Sequence, residues 1–557
     1  MAARPGPDGA LVLDLPVRGD WALRVSGTGL APTPLLWPAP GPDPEAPYGA
    51  TGPGRLVWRV NHVGMVRAVA DGRQVRIRRV ELRPGAIVTE VVAPGVTEAE
   101  LRGAVWRGRH LELPATELVE GRLTTPVGAA PSGPYLLTVR TADGVELEAV
   151  PDDALGEQLP GSLRTDDLRL SLRMRADRTV AADIAGPLTD EERSPAGQEA
   201  LRRAHRARAD DVDAGAVLLT SDGGRTPGLL ALDRELARTR PDVTRYWAVR
   251  DLGVPVPEGA TPVLVGSGRW HDVLSTAGVV LACGDLPDFF VPRPGQRVVQ
   301  AFAGFPASAV GRTFWRSRGL SERAVALEVA RRRQQWHTVV APHEDVAAIY
   351  RSELDLPEVL VTGHPRYDLL VDADQAAAGA RVRARLGLPV DAVLTLYAPA
   401  FRDRATRARV KDVDELDLQR LAAGRGPDHV VLALGVPYAG GQRVVDVTTY
   451  DDTSDLLLAA DAAVLDYSDL RFDWALTGRP AVFHVPDHDD YLEVVRPPLD
   501  FDSTAVGPQV TGVDAVVEAL RERATLRERY AAEVAAFNAR WHAHHDGRAA
   551  ERVLGLL

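Results

Sequence analysis

Cysteine, lysine and long apolar runs are nearly absent from this chain of 557 residues. The single cysteine, Cys283, excludes an internal disulfide and a zinc site built from several cysteines. It ends the apolar run 278–283, which predicts a buried strand, so we expect a buried and unreactive thiol. Lys411 is the only lysine, and we interpret this arginine bias as genomic base composition. No window holds the ~18 apolar residues of a membrane-spanning helix.

Positive charge is also in deficit. The chain has 77 acidic and 65 basic residues and a net charge of −12, which argues against a protein that binds nucleic acid as a whole. No apolar segment follows Arg4, so we expect no signal peptide and a cytoplasmic location. The length predicts roughly three or four domains, because a domain commonly takes ~100–200 residues.

Two sequence patterns divide the chain. Residues 1–195 hold short alternating apolar runs between Pro, Gly and Asp turns, and predict a β-rich accessory region of one or two modules. From residue 196, strands and helices alternate, as in parallel, doubly wound sheets. We predict a first lobe over residues 196–340 and a second over 341–557, with a long helical stretch at 513–544. The predicted fold class is α/β, with two Rossmann-like lobes after a β-rich region.

Several cations follow one predicted strand, at 392–397. A proline turn leads from this strand to Arg402, and four further cations follow: Arg404, Arg407, Arg409 and Lys411. A cationic loop at the carboxyl end of a strand favours a phosphate site, because guanidinium groups bind phosphate oxygens in pairs. A solvated loop is the alternative.

Two more turns carry polar residues directly after predicted strands. In the turn Asp466-Tyr467-Ser468, a helix is predicted from about residue 469, so Ser468 would be its N-cap and free amides would favour an anion. A cap without a ligand is the alternative. In the turn Gly363-His364-Pro365-Arg366, the glycine and proline present the histidine and arginine, although a plain connection would need the same residues.

Taken in order, these segments resemble the CDP-glycerol glycerophosphotransferase family of teichoic acid synthesis, over about residues 214–557. The matching segments are Gly363-His-Pro-Arg-Tyr-Asp368, Tyr397-Ala-Pro-Ala-Phe-Arg-Asp403, Asp466-Tyr-Ser468, Phe472-Asp473, Pro480-Ala-Val-Phe483 and Asp546-Gly547, with Asp461, Asp487 and Tyr491 beside them. No single motif decides the resemblance, which depends on the ordered set.

The resemblance implies a two-lobed fold similar to GT-B glycosyltransferases. It also implies a CDP-polyol donor such as CDP-glycerol or CDP-ribitol as substrate, with no metal and no other cofactor. In the family reaction an acceptor hydroxyl attacks the donor's β-phosphate and CMP leaves. By match to the motifs, Arg402 and Ser468 would face the diphosphate, and Asp466 and Asp473 would shape the same pocket. The predicted substrate-binding residues are Arg402, Asp466, Tyr467, Ser468, Asp473, Gly363, His364 and Arg366.

Several positions depart from the family pattern, among them Ala303, Ser308, Leu434, Val436, Leu465 and Asp469. Where the family has a histidine, this chain has Ala303 in the first lobe and Val436 in the second. Neither side chain can accept the hydroxyl proton, and removing a general base typically costs ~10²–10⁴-fold in rate. Asp469 replaces a family serine at a helix start, where its carboxylate would compete with a bound phosphate.

Three functions therefore stay open. The chain is a diverged CDP-polyol phosphotransferase with another base, a non-catalytic relative that binds a nucleotide or cell-wall precursor, or a GT-B glycosyltransferase with another donor. Replacement bases would come from His364, Asp285 and Asp288. The preserved Arg402 favours donor binding, and the lost histidines favour the second function or altered chemistry.

The segment 312–320 interleaves cations with aromatic side chains. Its relevant residues are Arg312, Phe314, Trp315, Arg316 and Arg318. Such a segment suits peripheral contact with an anionic, lipid-linked acceptor at the inner face of the plasma membrane. A solvated segment with one buried aromatic face is the alternative. The expected partners are a nucleotide-linked donor and a hydroxyl acceptor, and no nucleic acid.

Overall fold

The computed structural model divides the chain into two compact units, Met1–Pro187 and Leu188–Leu557. It describes residues 75–92 and most of 103–557, and the backbone of seven short strands within residues 1–74. After residue 188 the positions left out are 209–211, 222–224, 254, 357, 372, 403–415 and 437–442. Four cations of the predicted phosphate loop, Arg404, Arg407, Arg409 and Lys411, therefore lie outside the described residues.

The first unit is built from β-strands, as its turn-rich sequence predicts. Eleven strands form one sheet: Val75–Arg83, Ala86–Val92, Leu101–Arg107, Glu112–Pro114, Glu117–Val119, Arg122–Pro126, Gly133–Thr141, Glu146–Pro151, Gly161–Arg164, Arg169–Met174 and Val180–Ala185. The seven short strands before them are Ala2–Pro5, Leu11–Asp14, Asp20–Ala22, Arg24–Gly27, Leu30–Pro34, Val57–Val60 and Val66–Val69. Trp106, Ile77 and Ile87 are fully buried in the core of the sheet. The alternating apolar residues thus supply one buried face.

The second unit contains two parallel sheets. The first has seven strands, in the spatial order Thr261–Leu264, Thr244–Val249, Asp213–Ser221, Ala277–Cys283, Arg297–Gln300, Thr338–Ala341 and Val359–Val361. The second has six, in the order Val444–Asp446, His429–Ala433, Val393–Ala398, Ala462–Leu465, Ala481–His484 and Gln509–Val510. These strands are nearly continuous apolar runs because helices cover both faces of a parallel sheet. The doubly wound α/β prediction is confirmed.

Helices connect the strands in both lobes. Those of the first lobe are Asp190–Arg193, Pro195–Ala207, Pro227–Thr239, Gly268–Thr276, Gly311–Ser317, Glu322–Gln335 and Glu344–Leu354. Those that follow are Gln375–Leu386, Leu418–Gly424, Thr453–Ala459, Leu470–Leu476, His488–Val495, Val513–Arg521, Arg523–Arg529, Ala531–Trp541 and Ala549–Leu554, with a 3₁₀ turn at Pro365–Leu369. Polar caps fix many starts; for example, Thr226, Ser321 and Asp374 each accept an amide hydrogen bond from the first turn.

One expectation about the lobes is wrong. The boundary does not lie at 340/341, because Thr338–Ala341 and Val359–Val361 pair in register with the first sheet. The stretch 513–544 is three helices, which break at Glu522 and Tyr530. The last helix, Ala549–Leu554, returns to the first lobe, where Val553 and Leu554 enter the same core as Leu229.

The structure also bears on the expectations for Cys283 and for membrane-spanning helices. Cys283 is buried, as predicted, and burial raises the pKa of its thiol to about 12, so the thiolate is disfavoured. Within the described part of the chain, every helix is too short or too polar to span a bilayer.

Candidate functional site

The carboxyl ends of three neighbouring strands bring the main candidate residues together. Strands Val393–Ala398, Ala462–Leu465 and Ala481–His484 are parallel and adjacent, so the residues that follow them lie at one edge of the sheet. There Arg402 lies over Asp487, with Nη2 3.1 Å from Oδ1 and Nη1 against Oδ2. The second acid, Asp466, is 3.9 Å from Arg402 Nη2.

Two tyrosines complete this carboxyl-edge cluster, which we define as Arg402, Asp466, Tyr467, Asp487 and Tyr491. The Arg402 guanidinium lies 4.7 Å from the Tyr491 ring centre and 5.6 Å from that of Tyr467. The two rings stack at 3.8 Å, and the Tyr467 hydroxyl donates to Asp487 at 3.1 Å. Burial and the two carboxylates hold the pKa of Tyr467 far above its ordinary value, so it is a hydrogen-bond donor and not a base.

Charge balance keeps Arg402 ionised. Only 9% of its side chain is exposed, and burial alone would lower its pKa. The carboxylate of Asp487 outweighs burial and raises the pKa of Arg402 above its ordinary value. Arg402 is held between the tyrosine rings on one side and Asp487 on the other, and is therefore preorganised to bind an anionic group. That group would share the guanidinium with Asp487.

Asp466 organises the turn that carries Arg402. Its Oδ1 accepts hydrogen bonds from the Ala400 amide at 2.6 Å and the Ser468 amide at 3.1 Å. Burial raises the pKa of Asp466 to about 6, against the effect of those amides and of Arg402. Arg402 and the segment Asp466–Ser468 therefore lie at one edge of the second sheet.

The helix start expected at Ser468 lies one residue later. The helix is Leu470–Leu476 with Asp469 as N-cap, and Ser468 Oγ accepts from the Leu470 amide at 3.4 Å. Arg471, which the sequence did not suggest, is buried and donates to the Tyr467 and Ser468 carbonyls at 3.0 and 2.9 Å. Side chains of the protein thus hydrogen-bond to both the amides and the carbonyls of this turn.

Arg366 lies in a second cluster, between the lobes, and not against Asp487. Its Nε donates to Asp473 Oδ1 at 2.8 Å, and its Nη1 reaches Asp469 Oδ2 at 3.0 Å and the Ala303 carbonyl. Burial raises the pKa of Asp473 to about 7, which Arg366 opposes. We call Arg366, Asp469, Asp473 and the Ala303 carbonyl the inter-lobe cluster. Its contacts join the first-sheet turns to the helix Leu470–Leu476.

His364 is held in one tautomer by two backbone groups. Nε2 donates to the Ala301 carbonyl at 2.7 Å, and Nδ1 accepts from the Arg366 amide at 3.2 Å. Burial lowers the pKa of His364 to about 3, so the ring is neutral. With both nitrogens engaged, this histidine has no lone pair for a substrate hydroxyl. The other suggested bases, Asp285 and Asp288, pair with Arg332 and Arg331.

Gly363 permits a close approach that no other residue allows. Its φ is +71°, and a Cβ there would lie 2.5 Å from the His544 carbonyl oxygen. In the same turn Asp368 accepts from the Ala549 and Ala550 amides at 3.1 and 2.7 Å and so caps the last helix. The turn that contains Gly363 and Asp368 therefore packs against the carboxyl-terminal segment and caps its last helix.

The CDP-Glycerol:Poly(glycerophosphate) glycerophosphotransferase family matches residues 202–557, which is most of the chain. The chain belongs to this family. The resemblance found in the motifs is thereby confirmed.

Relatives within the family are known by name. The chain is 24% identical over 385 residues to a teichoic acid poly(glycerol phosphate) polymerase of Staphylococcus epidermidis, covering 64% of this chain and 53% of that protein. It is 26% identical over 302 residues to a teichoic acid glycerol-phosphate transferase of Staphylococcus aureus, covering 52% and 77%. The chain spans about half the length of the polymerases that it matches.

A solved family structure has the same fold. The wall teichoic acid polymerase TagF superposes with a TM-score of 0.59 at 22% identity, covering 65% of this chain and 92% of that one. The expectation of a two-lobed, GT-B-like fold is therefore confirmed.

The structure locates Ala303 and Val436, the two positions where the motif resemblance predicts a histidine. Ala303 is exposed in the turn after strand Arg297–Gln300, where its carbonyl accepts from Arg366. Val436 follows strand His429–Ala433 and is half-buried against the core of the second lobe. Both positions follow strand carboxyl ends, and neither side chain can move a proton.

The aromatic segment of the first lobe is partly enclosed. Trp315 is buried, with the Arg332 guanidinium 4.5 Å from its ring centre. Arg316 forms a bidentate pair with Glu322 at 2.7 and 2.8 Å, and Arg312 donates to the Ser352 carbonyl. Trp315 therefore packs in the core and does not face a bilayer. The cationic surface of this segment is formed by the neighbouring residues and not by Trp315.

Proposed function

We propose that the chain is a CDP-polyol phosphotransferase of cell-wall polymer synthesis, of the teichoic acid type. The observation that carries this proposal is the carboxyl-edge cluster within the family-matching segment. It offers a buried, ionised Arg402 beside two stacked tyrosine rings, at the strand edge where α/β folds bind nucleotides. The donor is CDP-glycerol or CDP-ribitol, and no metal or other cofactor is required.

The relatives' names support this choice of donor and product. The matched proteins are named as glycerol-phosphate and ribitol-phosphate transferases and polymerases, and one TagF structure was obtained after a soak with CDPG. In the proposed reaction an acceptor hydroxyl oxygen bonds to the donor's β-phosphorus while the bond to the CMP oxygen breaks. CMP leaves, and the hydroxyl proton passes to a base.

A second function is favoured by the missing bases. Ala303 and Val436 stand at the two family-histidine positions, and both nitrogens of His364 are engaged. A non-catalytic relative that binds a CDP-polyol or a cell-wall precursor would keep Arg402 and need none of these histidines. The two functions differ in turnover and not in donor binding.

CMP release separates these functions. The purified chain is incubated with CDP-glycerol or CDP-ribitol and a short polyol-phosphate acceptor, and CMP is quantified beside equilibrium binding. Acceptor-dependent CMP release supports the transferase; binding without release supports the non-catalytic relative. UDP-sugars serve as the third donor class: turnover of a UDP-sugar, without binding of either CDP-polyol, would contradict both proposals in favour of another GT-B transferase.

We also propose peripheral contact with the inner face of the plasma membrane near helix Gly311–Ser317. Since Trp315 is buried and Arg316 is paired, the contact would use Arg312, Phe314 and Arg318, with the Arg318 guanidinium 5.0 Å from the Phe314 ring centre. Co-sedimentation with anionic vesicles tests it. Binding that Phe314→Ala and Arg318→Ala leave unchanged would exclude this surface.

A further inference from the structure

His488 is the first residue of helix His488–Val495 and directly follows Asp487 of the carboxyl-edge cluster. Its imidazole ring lies between two carboxylates. Nδ1 is 2.9 Å from Oδ1 of Asp489 on the same helix, and Nε2 is 3.0 Å from Oδ1 of Asp502, 14 positions later in the chain. The ring therefore joins the start of this helix to a later turn.

The two contacts together require the charged form of the ring. Carboxylate oxygens only accept hydrogen bonds, so each ring nitrogen must carry a hydrogen, and only the imidazolium form carries two. In the neutral ring, one nitrogen lone pair would face a carboxylate oxygen and be repelled. The hydrogen bond to Asp489 is the largest cause that raises the pKa of His488 above its ordinary value; burial opposes it, and the hydrogen bond to Asp502 adds to it.

The charged groups that face this ring come from two elements. Among the described residues they are Asp489 on the helix and Asp502 on the turn, and both carboxylates are exposed. Gln509, in the last strand of the second sheet, donates to the same oxygen of Asp502 at 3.1 Å and so orients it. The Phe501 ring lies beside His488, with centres 5.9 Å apart. Because water screens exposed pairs, we expect an effect of severalfold on binding and not a larger one.

The turn at residues 500–504 supports the tyrosine side of the carboxyl-edge cluster. The Phe501 ring centre lies 5.0 Å from that of Tyr467. Thr504 Oγ1 accepts from Arg471 Nε at 3.0 Å, and Arg471 in turn donates to the Tyr467 carbonyl. Movement of this turn would therefore displace Tyr467.

The start of the helix supports the charged side of the same cluster. Asp487 pairs with Arg402, and the Asp487 carbonyl accepts from the Tyr491 amide at 2.8 Å. The Tyr491 ring stacks on Tyr467 at 3.8 Å. His488 lies between Asp487 and Tyr491 in the chain, so its bond to the turn ties this helix to the segment behind Tyr467.

We propose that His488, in its protonated form, positions the carboxyl-edge cluster, so that the site binds a nucleotide donor more tightly in slightly acidic than in alkaline solution. His488 is a positioning residue, since it acts on Arg402 through Asp487 and Tyr491. The identity of the donor, a CDP-polyol, rests on the proposed function. When the ring loses its proton, repulsion at Asp502 releases the helix from the turn, and Arg402 is held less firmly.

Donor affinity as a function of pH tests this inference in the full chain. Calorimetry with CDP-glycerol at pH 6.5 and pH 9 compares wild type with His488→Gln, which is never charged, and His488→Arg, which is always charged. We expect wild type to bind about threefold to fivefold more weakly at pH 9. His488→Gln should show the weaker affinity at both pH values, and His488→Arg the stronger one. The control His544→Gln changes an exposed histidine and should follow wild type.

Unfolding gives a second readout that needs no donor. Because the folded pKa of His488 is raised, the stability of wild type over His488→Gln is full below pH 6.5 and is lost as the pH rises through the folded pKa. Denaturant unfolding of the two proteins across this range measures the difference.

The outcomes separate this inference from the proposed function. Donor binding with the same pH dependence in wild type and His488→Gln, or a stability difference that does not fall with pH, would overturn the inference and leave the proposed function intact. If no form binds CDP-glycerol or CDP-ribitol while the stability difference still falls with pH, the proposed function fails and the pH-dependent hold of His488 on the cluster is upheld.

Discussion

Arg402 is held by charge and by aromatic rings, which makes it both a candidate ligand for the donor and a contributor to stability. Its partner Asp487 has only 3% of its side chain exposed. Removal of one member of such a pair leaves the other charge buried, which commonly costs about 3–5 kcal/mol. The same residue therefore needs tests that separate folding from binding.

We predict that Arg402→Ala lowers the free energy of unfolding of the second unit by about 3 kcal/mol. In the Arg402→Ala protein, the further change Asp487→Asn should remove most of this penalty, because it neutralises the unpaired charge. The stability lost by the double variant should therefore be smaller than the sum of the two single losses by about 1 kcal/mol or more. Denaturant unfolding of the four proteins measures this coupling. Strict additivity would mean that the pair contributes nothing.

His364 gives a prediction in pH. Its folded pKa of about 3 lies below the ordinary 6.5, so the unfolded chain binds the proton more tightly. The stability due to neutral His364 is therefore full above pH 6.5 and is lost as the pH falls. Between pH 7 and pH 5 the loss is about 2 kcal/mol.

The variant His364→Asn isolates this loss. Its amide oxygen can still accept from the Arg366 amide, but it has no proton to gain. The difference in unfolding free energy between wild type and variant should shrink by about 2 kcal/mol from pH 7 to pH 5. Parallel pH dependences of the two proteins would show that His364 is not buried and neutral. Other histidines cancel in this comparison.

At the scale of elements, the segment 466–473 connects the two clusters. Asp466 and Tyr467 belong to the carboxyl-edge cluster, while Asp469 and Asp473 contact Arg366 between the lobes. A shift of the helix Leu470–Leu476 would therefore change the contacts in both clusters. This is why the residues that the sequence grouped into one pocket are divided into two by the structure.

Strands were predictable, whereas partners across strands were not. The strands expected at 278–283 and 392–397 are present as Ala277–Cys283 and Val393–Ala398, because buried parallel strands are continuously apolar. The pairing of Arg402 with Asp487, 85 positions apart, depends on strand order, which no local pattern contains. The helix start was placed one residue early, at Ser468, because serine and aspartate are equally good caps.

The cap of the last helix is a further prediction at this scale. Asp368→Ala removes the acceptor of the Ala549 and Ala550 amides and should lower the unfolding free energy by about 1–2 kcal/mol. The control Asp546→Ala breaks a more exposed pair with Arg552 and an exposed hydrogen bond from the Arg548 amide, and should cost less than 1 kcal/mol. Thermal unfolding compares them. Equal effects would contradict the capping role.

At the scale of the molecule, the sequence predicted two lobes but misplaced their boundary. Strands Thr338–Ala341 and Val359–Val361 complete the first sheet, and the helix Ala549–Leu554 returns to it. A sheet edge is defined by pairing, and a returning helix by docking, so neither is visible in local hydrophobic patterns. The family motifs, in contrast, were visible because each is a short run of neighbouring residues.

Ala303 and Val436, where the motif resemblance predicts histidines, bear on the proposed function and not on the fold. Ala303 and Val436 lie at strand ends without disturbing either lobe. Donor binding, which Arg402 and its neighbours support, is therefore separable from turnover, which needs a base. Donor binding is the claim on which both proposed functions depend.

Calorimetric titration with CDP-glycerol tests that claim most directly, using wild type, Arg402→Gln and the control Arg420→Gln, whose native arginine pairs with exposed Asp514 in the same lobe. We expect saturable binding by wild type and control, and an affinity about 10- to 100-fold weaker in Arg402→Gln, since charge-assisted hydrogen bonds contribute about 1.5–3 kcal/mol. Equal affinities in all three proteins, or no binding of CDP-glycerol or CDP-ribitol by the folded wild-type chain, would contradict it.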